Sequence, residues 1–533
     1  MNALFAKDSR DLRRPLLMSL FFGGLAILCW KLYPDYGPHW DEKTCQSYGM
    51  DTWNYIFNKD PKIFSNPDLD HGPFVEMFLV LVQKCLSAQS WREVVLARHA
   101  ANVTLFIAAV AAFYRIGLKY FGRWQTALMG CLLLVTSPRI FAEAFYNSKD
   151  IGFMSMFVIA IYTLERYRQS RTWFRALTHA ALTGACIATR LPGILMLLIT
   201  LIVEAAGVAG EPSGRAGRAM RLAFYLGMSL VCTLIFWPAL WQDPFHSFVY
   251  FFQDMESYTQ GPWGVVFEGR FVPRPQIPLR YLFQWIMITT PIPFLMLGLA
   301  GCTAWAVRIK LTPLRVIIGS PAFIVGLWLA IPLAHYCIRH PNIYDGWRHY
   351  YFLYPAMVLC MLKGWEMLKY VLGERRFLIL AAAVIIVLEP VWFVIKAHPN
   401  EQVYFNFMAG PKHELHKRYD MDYWGLSYRH GLEYILDKDD RNNIVVFAND
   451  EPGWLSHRFL LPEDARRIRM VEKVDGADYI LTVFRKLGSD SISLTKPPPG
   501  FVRDVMIQAN GITTLAVYQR QSKPDGRVDE SGA

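Results

Sequence analysis

The sequence predicts an α-helical polytopic membrane protein of about eleven transmembrane helices, followed by a small C-terminal α/β extracytoplasmic domain. Three observations predict it. The chain of 533 residues is 53% hydrophobic, and several stretches approach the roughly 20 apolar residues that cross a bilayer. Basic residues gather in alternate short connections between those stretches, which is the bias that keeps Lys and Arg on the cytoplasmic side. From about residue 397 the apolar runs give way to the mixed composition of a soluble domain.

Arg10, Arg13 and Arg14 precede an apolar run from Leu16 to about Tyr33. No small-x-small cleavage site follows it, so it reads as an uncleaved first helix with a cytoplasmic N-terminus. Residues 34–93 are then external, and within them Phe74–Leu86 is too short to span and suits a helix lying at the interface. A second span, about Val94–Leu118, ends at Lys119 and Arg123. A third, about Gln125–Thr136, returns outside to Ser137-Pro138-Arg139 and Asn147-Ser148-Lys149-Asp150. A fourth starts near Ile151 and descends to Arg166, Arg168, Arg171 and Arg175.

Two short apolar segments follow, about 176–188 and 193–208, joined by Thr189-Arg190-Leu191-Pro192-Gly193. Gly/Pro-interrupted helices with an arginine between them are expected where backbone lines a cavity inside the protein. A span at about 222–240 leads to an aromatic external loop, 242–282. Spans near 284–306, 314–334, 350–368 and 377–395 complete the set, with Arg308, Lys310, Arg315, Lys369, Arg375 and Arg376 in cytoplasmic links. The domains are therefore a membrane domain over 1–396 with a large external loop at 34–93, an α/β domain over 397–520, and a disordered tail over 521–533. In the α/β domain, Gly425–Lys438 and the region around Gly453–Leu461 read as helices. Asn443–Ala448, Ala477–Phe484 and Ile512–Gln519 read as strands.

The net charge of +11 sits where topology needs it, so no nucleic-acid partner is expected. Nine cysteines are scattered without CxxC or Cys/His spacing, which indicates neither a zinc site nor a disulfide framework. Cys45 and Cys85 share an external segment and could pair there.

The candidate chemistry is external. Tyr36-Gly37-Pro38-His39-Trp40-Asp41-Glu42 places adjacent carboxylates just beyond the first span. His71, Lys149 with Asp150, Arg190, and Arg348 with His349 join them on or near the same side. A single charge at a helix end most often marks topology. External loops that served topology alone would be poor in Arg and Lys, yet these keep basic groups beside carboxylates. An arginine at membrane depth needs an anionic partner, either a carboxylate in another span or a ligand phosphate.

This series resembles the GT-C fold glycosyltransferases: external Asp41-Glu42 after a first span, an interfacial helix opened by His71-Gly72-Pro73, and the Asn147-Ser148-Lys149-Asp150 loop. Tyr344-Asp345-Gly346-Trp347-Arg348-His349 and Tyr419-Asp420-Met421-Asp422-Tyr423-Trp424-Gly425 resemble phrases of the bacterial protein O-mannosyltransferase-like group (dolichyl-phosphate-mannose type). The lipid A aminoarabinose transferases are a more distant likeness. They carry Lys-Pro-Pro where this chain has His71-Gly72-Pro73, so their donor-binding lysine is not carried over.

The resemblance implies transfer of a sugar from a polyprenyl-phosphate donor to a hydroxyl acceptor, a protein Ser/Thr or an envelope glycolipid or polysaccharide, with inversion at the anomeric carbon. Asp41 is then the general base, and Glu42 orients it or the sugar, or is merely solvated. Asp150 is the second carboxylate. Arg190, Arg348, His349 and Lys149 are the donor-phosphate candidates, while His71 and Trp40 are candidates for acceptor or sugar contact. Asp41, Glu42 and Asp150 have oxygens enough for Mg²⁺ or Mn²⁺, but the mannosyltransferase pattern needs none, so no metal or cofactor is expected. The implied location is the bacterial inner membrane, among membrane lipids, with the C-terminal domain periplasmic or extracellular. The rival reading is a transporter or lipid-linked-sugar flippase, which would call for a repeat relating two halves and for no external Asp41-Glu42.

Overall fold

The computed structural model describes residues 13–210, 214–257, 263–310, 312, 314–318, 320–483, 485 and 497–521. The chain divides into two compact units. The first comprises Met1–Tyr36, Glu42–Gly261 and Pro275–Ala409, and the second comprises Gly37–Asp41, Pro262–Arg274 and Gly410–Ala533.

The helical unit contains α1 (Arg13–Leu32), α2 (Glu42–Asn58), α3 (Phe74–Cys85), α4 (Trp91–Phe121), α5 (Trp124–Val135), α6 (Pro138–Tyr146) and α7 (Asp150–Gln169). It continues with α8 (Trp173–Ile187), α9 (Ile194–Gly210), α10 (Arg215–Phe236), α11 (Pro244–Ser257), α12 (Arg280–Thr289) and α13 (Ile292–Lys310). The short α14 (Leu314–Ile317), then α15 (Pro321–Arg339), α16 (Tyr354–Leu372) and α17 (Arg376–Ala397) close it.

Local chemistry sets the ends of these helices. α4 opens on a reciprocal capping box, in which the Ser90 hydroxyl accepts from the Glu93 N–H and the Glu93 carboxylate accepts from the Ser90 N–H. It ends at Gly122, whose φ of 71° suits a residue without a Cβ.

Among the described residues, six helices (α1, α4, α10, α13, α15 and α17) are long and apolar enough to cross a membrane, or up to seven if α5 and α6 form one span bent by 71°. The sequence counts more because it also includes short segments such as α8, of 15 residues, and the charge-bearing α7 and α16. In these last two, Glu165 of α7 pairs with Lys119 and Arg168, and Glu366 of α16 pairs with Lys369.

Helices approach most closely where side chains are absent. A Cβ on Gly301 of α13 would lie 1.8 Å from the Cys360 carbonyl of α16, and one on Gly364 would lie 2.1 Å from the Leu297 carbonyl. The two glycines let the α13 and α16 backbones touch in both directions, the small-residue packing typical of membrane helices.

Several expectations change. Residues 138–146 form a helix, not a loop: Pro138 opens α6, and every residue of α6 is buried. The span near 284–306 is broken at Thr290–Pro291 into α12 and α13, because Pro291 has no N–H to continue the first helix. The loop 242–282 holds α11 and a β-hairpin, β1 (Gly264–Phe267) with β2 (Arg270–Pro273). Phe74–Cys85 is a helix as the pattern indicates. Cys45 and Cys85 are both free thiols. Apart from Gln521, the tail expected at 521–533 lies outside the described residues.

The second unit holds β1 and β2 with α18 (Leu415–Arg418), α19 (Ser427–Lys438), β3 (Ile444–Ala448), α20 (Glu451–Phe459) and α21 (Pro462–Arg467). β4 (Ile468–Val471), β5 (Tyr479–Val483), β6 (Phe501–Ala509) and β7 (Ile512–Arg520) follow. Its five-stranded sheet runs β4-β3-β5-β7-β6, parallel across the first three strands and antiparallel across the last three. Tyr428, Leu432 and Ile435 of α19 join Leu481, Leu515 and Val517 of the sheet in one buried core. The strands β4 and β6 escape the sequence reading because charged and half-exposed residues interrupt their alternation.

Gly301→Ala should be disproportionately costly for so small a change. The added methyl overpacks a backbone contact, an effect worth about 1–3 kcal/mol or more. A thermal-unfolding midpoint in detergent unchanged from wild type would contradict this packing.

Candidate functional site

In the helical unit, Asp150 is the point on which distant segments converge. It is the first residue of α7 and is 1% exposed. Arg190, in the turn between α8 and α9, bonds one carboxylate oxygen through Nη1, and Arg348, just before α16, bonds the other at 3.0 Å. Asn147 donates to Asp150 at 3.0 Å, and its own carbonyl accepts the Asp150 N–H at 2.8 Å. Asp345 adds a second carboxylate to Arg348 at 3.3 Å.

Burial alone would raise the Asp150 carboxyl, but the Arg190 and Arg348 guanidiniums override it and hold the group well below the usual carboxylate range. His349 responds to the same surroundings in the opposite sense. Burial, and then the Arg348 guanidinium, push its imidazole well below the ordinary histidine value, leaving it neutral near pH 7. Its Nδ1 is buried without a hydrogen-bond partner among the described residues.

Backbone geometry fixes both arginines. Asp345 and Gly346 have φ of 54° and 74°, so two successive left-handed residues turn the chain, and the Gly346 N–H donates to the Tyr281 hydroxyl at 3.1 Å. Arg348 stacks on the Tyr344 ring at 5.1 Å. On the other side, a Cβ on Gly72 would lie 2.1 Å from the Ala188 backbone, and the Phe74 N–H donates to the Ala188 carbonyl at 2.9 Å. His71-Gly72-Pro73 is thus pressed against the segment that carries Arg190, and only glycine permits that approach.

A second cluster surrounds Glu42. Its carboxylate is 1% exposed and accepts from Arg98 Nε at 2.9 Å, while its other oxygen pairs with His99 Nε2 at 3.1 Å. Arg98 also donates to Glu76 of α3 at 2.7 Å, and Glu76 accepts from the Ser148 hydroxyl. Glu42, Arg98, Glu76 and Ser148 therefore tie α2, α4 and α3 to the loop that ends at Asp150. Lys149 pairs with Asp68 at 2.9 Å, and His71 Nδ1 lies 2.7 Å from Asp70. Tyr48, Asp68, His71, Glu76, Ser148 and Lys149 border a small cavity with room for about one water.

Asp41 and Trp40 belong to the other unit. The Trp40 N–H donates to the Trp424 carbonyl at 2.9 Å, and Arg485 lies over the Trp40 ring at 4.8 Å. Arg485 also donates to the Tyr423 carbonyl at 3.1 Å. Asp420 accepts from the Val266 N–H of β1, and Asp422 accepts from the Ser427 N–H at the start of α19. The Tyr419–Gly425 phrase thus holds 37–41 and the hairpin to the α/β domain. Asp41 is half-buried and immediately precedes α2.

Asp150, Arg190, Arg348 and His349 therefore come together, with Lys149 and His71 on the neighbouring cluster. Glu42 is not solvated, since both its oxygens are engaged. Glu42 and Asp150 spend their oxygens on guanidiniums, an imidazole and an amide, and no group of three His, Cys, Asp or Glu among the described residues is placed to hold a metal. Arg98 and Glu76 escaped the sequence reading, and Asn147 and Asp345 stood in its motifs without a role. Arg98 and Glu76 offered a signal in their position, as charges on the apolar faces of α4 and α3.

No family model matches the chain, and no curated protein matches it. Among solved structures, it is similar to the crystal structure of ArnT from Cupriavidus metallidurans in the apo state. The two are 12% identical, with 94% of this chain and 98% of that chain covered and a TM-score of 0.50. At that identity the likeness speaks for the fold alone, and the fold of this chain is GT-C, membrane-spanning, with a small C-terminal β-sheet domain.

Proposed function

We propose that this chain is a membrane glycosyltransferase of the protein O-mannosyltransferase-like kind, moving one sugar from a polyprenyl-phosphate donor to a hydroxyl acceptor on the extracytoplasmic side. The convergence of Arg190 and Arg348 on Asp150 in a GT-C fold carries this reading. A lipid phosphate gains negative charge as it leaves, so fixed cations beside it lower the barrier. Asp150 holds the two guanidiniums in place before the donor arrives. The Arg190 guanidinium has one hydrogen-bonded partner among the described residues, Asp150, which leaves donors of its fork for a phosphate. Neutral His349 supplies a hydrogen bond without another charge.

Asp41 is the base in this reading. Glu42, locked by Arg98 and His99, fixes the start of α2. The Asp41 carboxylate takes the proton of the acceptor hydroxyl as its oxygen bonds the anomeric carbon from the face opposite the phosphate. The C–O bond to phosphate breaks with its electron pair on the phosphate oxygen, which inverts the configuration. Glu42 is a positioning residue here, and no step requires a metal. The acceptor is a protein hydroxyl or an envelope glycan. Mass spectrometry of envelope peptides and lipids from cells lacking the chain separates the two by where the sugar increment disappears.

Asp41→Asn should lower sugar transfer from a polyprenyl-phosphate donor by about 10²–10⁴-fold, the usual scale for a positioned base, while detergent elution and circular dichroism stay as in the wild type. Undiminished transfer would remove Asp41 from the mechanism. Movement of the donor across vesicles without covalent product would favour the flippase reading.

Because His349 stays neutral at pH 7 and below, it should contribute no limb to the pH–rate profile between about pH 6 and 8. His349→Asn should lower the rate by one factor at every pH. Displacement of the acid limb in that variant would make His349, and not Asp41, the proton acceptor.

A further inference from the structure

The far end of the helical unit holds a second, independent site. Counted along α4 at 1.5 Å per residue, Tyr120 lies roughly 33 Å from Arg98. There the ends of α4 and α13, the start of α15 and the middle of α16 enclose a cavity of about 360 Å³. Tyr120, Trp305, Arg308, Ser320, Lys363 and Glu366 are among its lining. The mechanism above uses none of them.

The charges facing this cavity do not cancel locally. Glu366 is engaged by Lys369 at 2.6 Å and by the Thr126 hydroxyl. The Tyr120 hydroxyl donates to Glu165 at 2.8 Å. Among the described residues, neither the Lys363 ammonium nor the Arg308 guanidinium has an ion pair or hydrogen bond. Ser320 caps α15 by accepting the Phe323 N–H at 3.2 Å, so the positive end of a 19-residue helix opens on the same space. Lys363 stands in α16 and is half-buried, and an ammonium withdrawn from water without a partner is costly unless an anion meets it.

The surroundings select the form of that anion. Ile309 and Val316 line the cavity and are 39% and 60% exposed, and Val307 nearby is 52% exposed. A free phosphate would leave that apolar rim bare, whereas acyl chains would cover it. We propose that the cavity binds the phosphate of an anionic phospholipid between Lys363 and Arg308, with its acyl chains along α13 and α15. Basic pockets between membrane helices, at the end that carries the basic links, are suited to such headgroups.

The test uses the full-length protein purified in a neutral detergent and titrated with phosphatidylglycerol in mixed micelles, read by the thermal-unfolding midpoint. The wild type should show a saturable rise of a few degrees, and phosphatidylcholine should give none. Lys363→Met and Arg308→Gln should each weaken half-saturation about fivefold, as expected for about 1 kcal/mol per basic contact. Arg308 is exposed, so its variant remains informative if Lys363→Met fails to fold. Equal half-saturation in wild type and Arg308→Gln, or no rise with phosphatidylglycerol, would overturn the site. The same rise with millimolar inorganic phosphate alone would overturn the lipid assignment.

Discussion

The site depends on one buried ion triplet, a carboxylate at position 150 between two guanidiniums from segments almost 160 residues apart in sequence. Removing an ion from water costs several kcal/mol, and losing one partner of such a group costs about 3–5 kcal/mol. Arg190 and Arg348 are therefore held by a partner that cannot be neutralised at physiological pH. Two cationic forks with fixed directions are preorganised for an anion in a way that solvated lysines are not.

The neighbouring cluster serves the same end by different means. Glu42 and Glu76 both grip Arg98, and Glu76 reaches Ser148, two residues before Asp150. The helix that follows Asp41 and the loop that precedes Asp150 are thus referred to one buried arginine on α4. The more exposed pairs, Lys149 with Asp68 and His71 with Asp70, sit beside this frame and are better able to change partners when a ligand enters.

The sequence displayed the parts of this arrangement unevenly. Long apolar runs ended by arginines made the first span, α4, α10 and α17 plain, because hydropathy and flanking charge point the same way there. α6 was hidden, since its Arg139 and Glu143 look like loop residues until they are seen buried, with Glu143 bonded to Tyr351 and Asn147. Arg190 stood out because an arginine between two short apolar helices has few explanations. Its partner was not legible, as nothing local in the sequence pairs 150 with 190 and 348. The strands β3, β5 and β7 showed continuous β-branched and aromatic runs, whereas β6 mixes charge and apolar residues at the sheet edge, where one face meets water.

The proposed transfer requires Arg190 and Arg348 to hold a phosphate. The direct measurement is equilibrium binding of a short-chain polyprenyl phosphate to the purified protein, compared with Arg190→Lys and Arg348→Lys. Lysine keeps the charge beside Asp150 but gives up the guanidinium fork. A loss of about tenfold or more in affinity in each variant is the predicted result, corresponding to roughly 1.4 kcal/mol. Affinities equal to the wild type in both variants would contradict the assignment and leave the triplet as a structural tie alone.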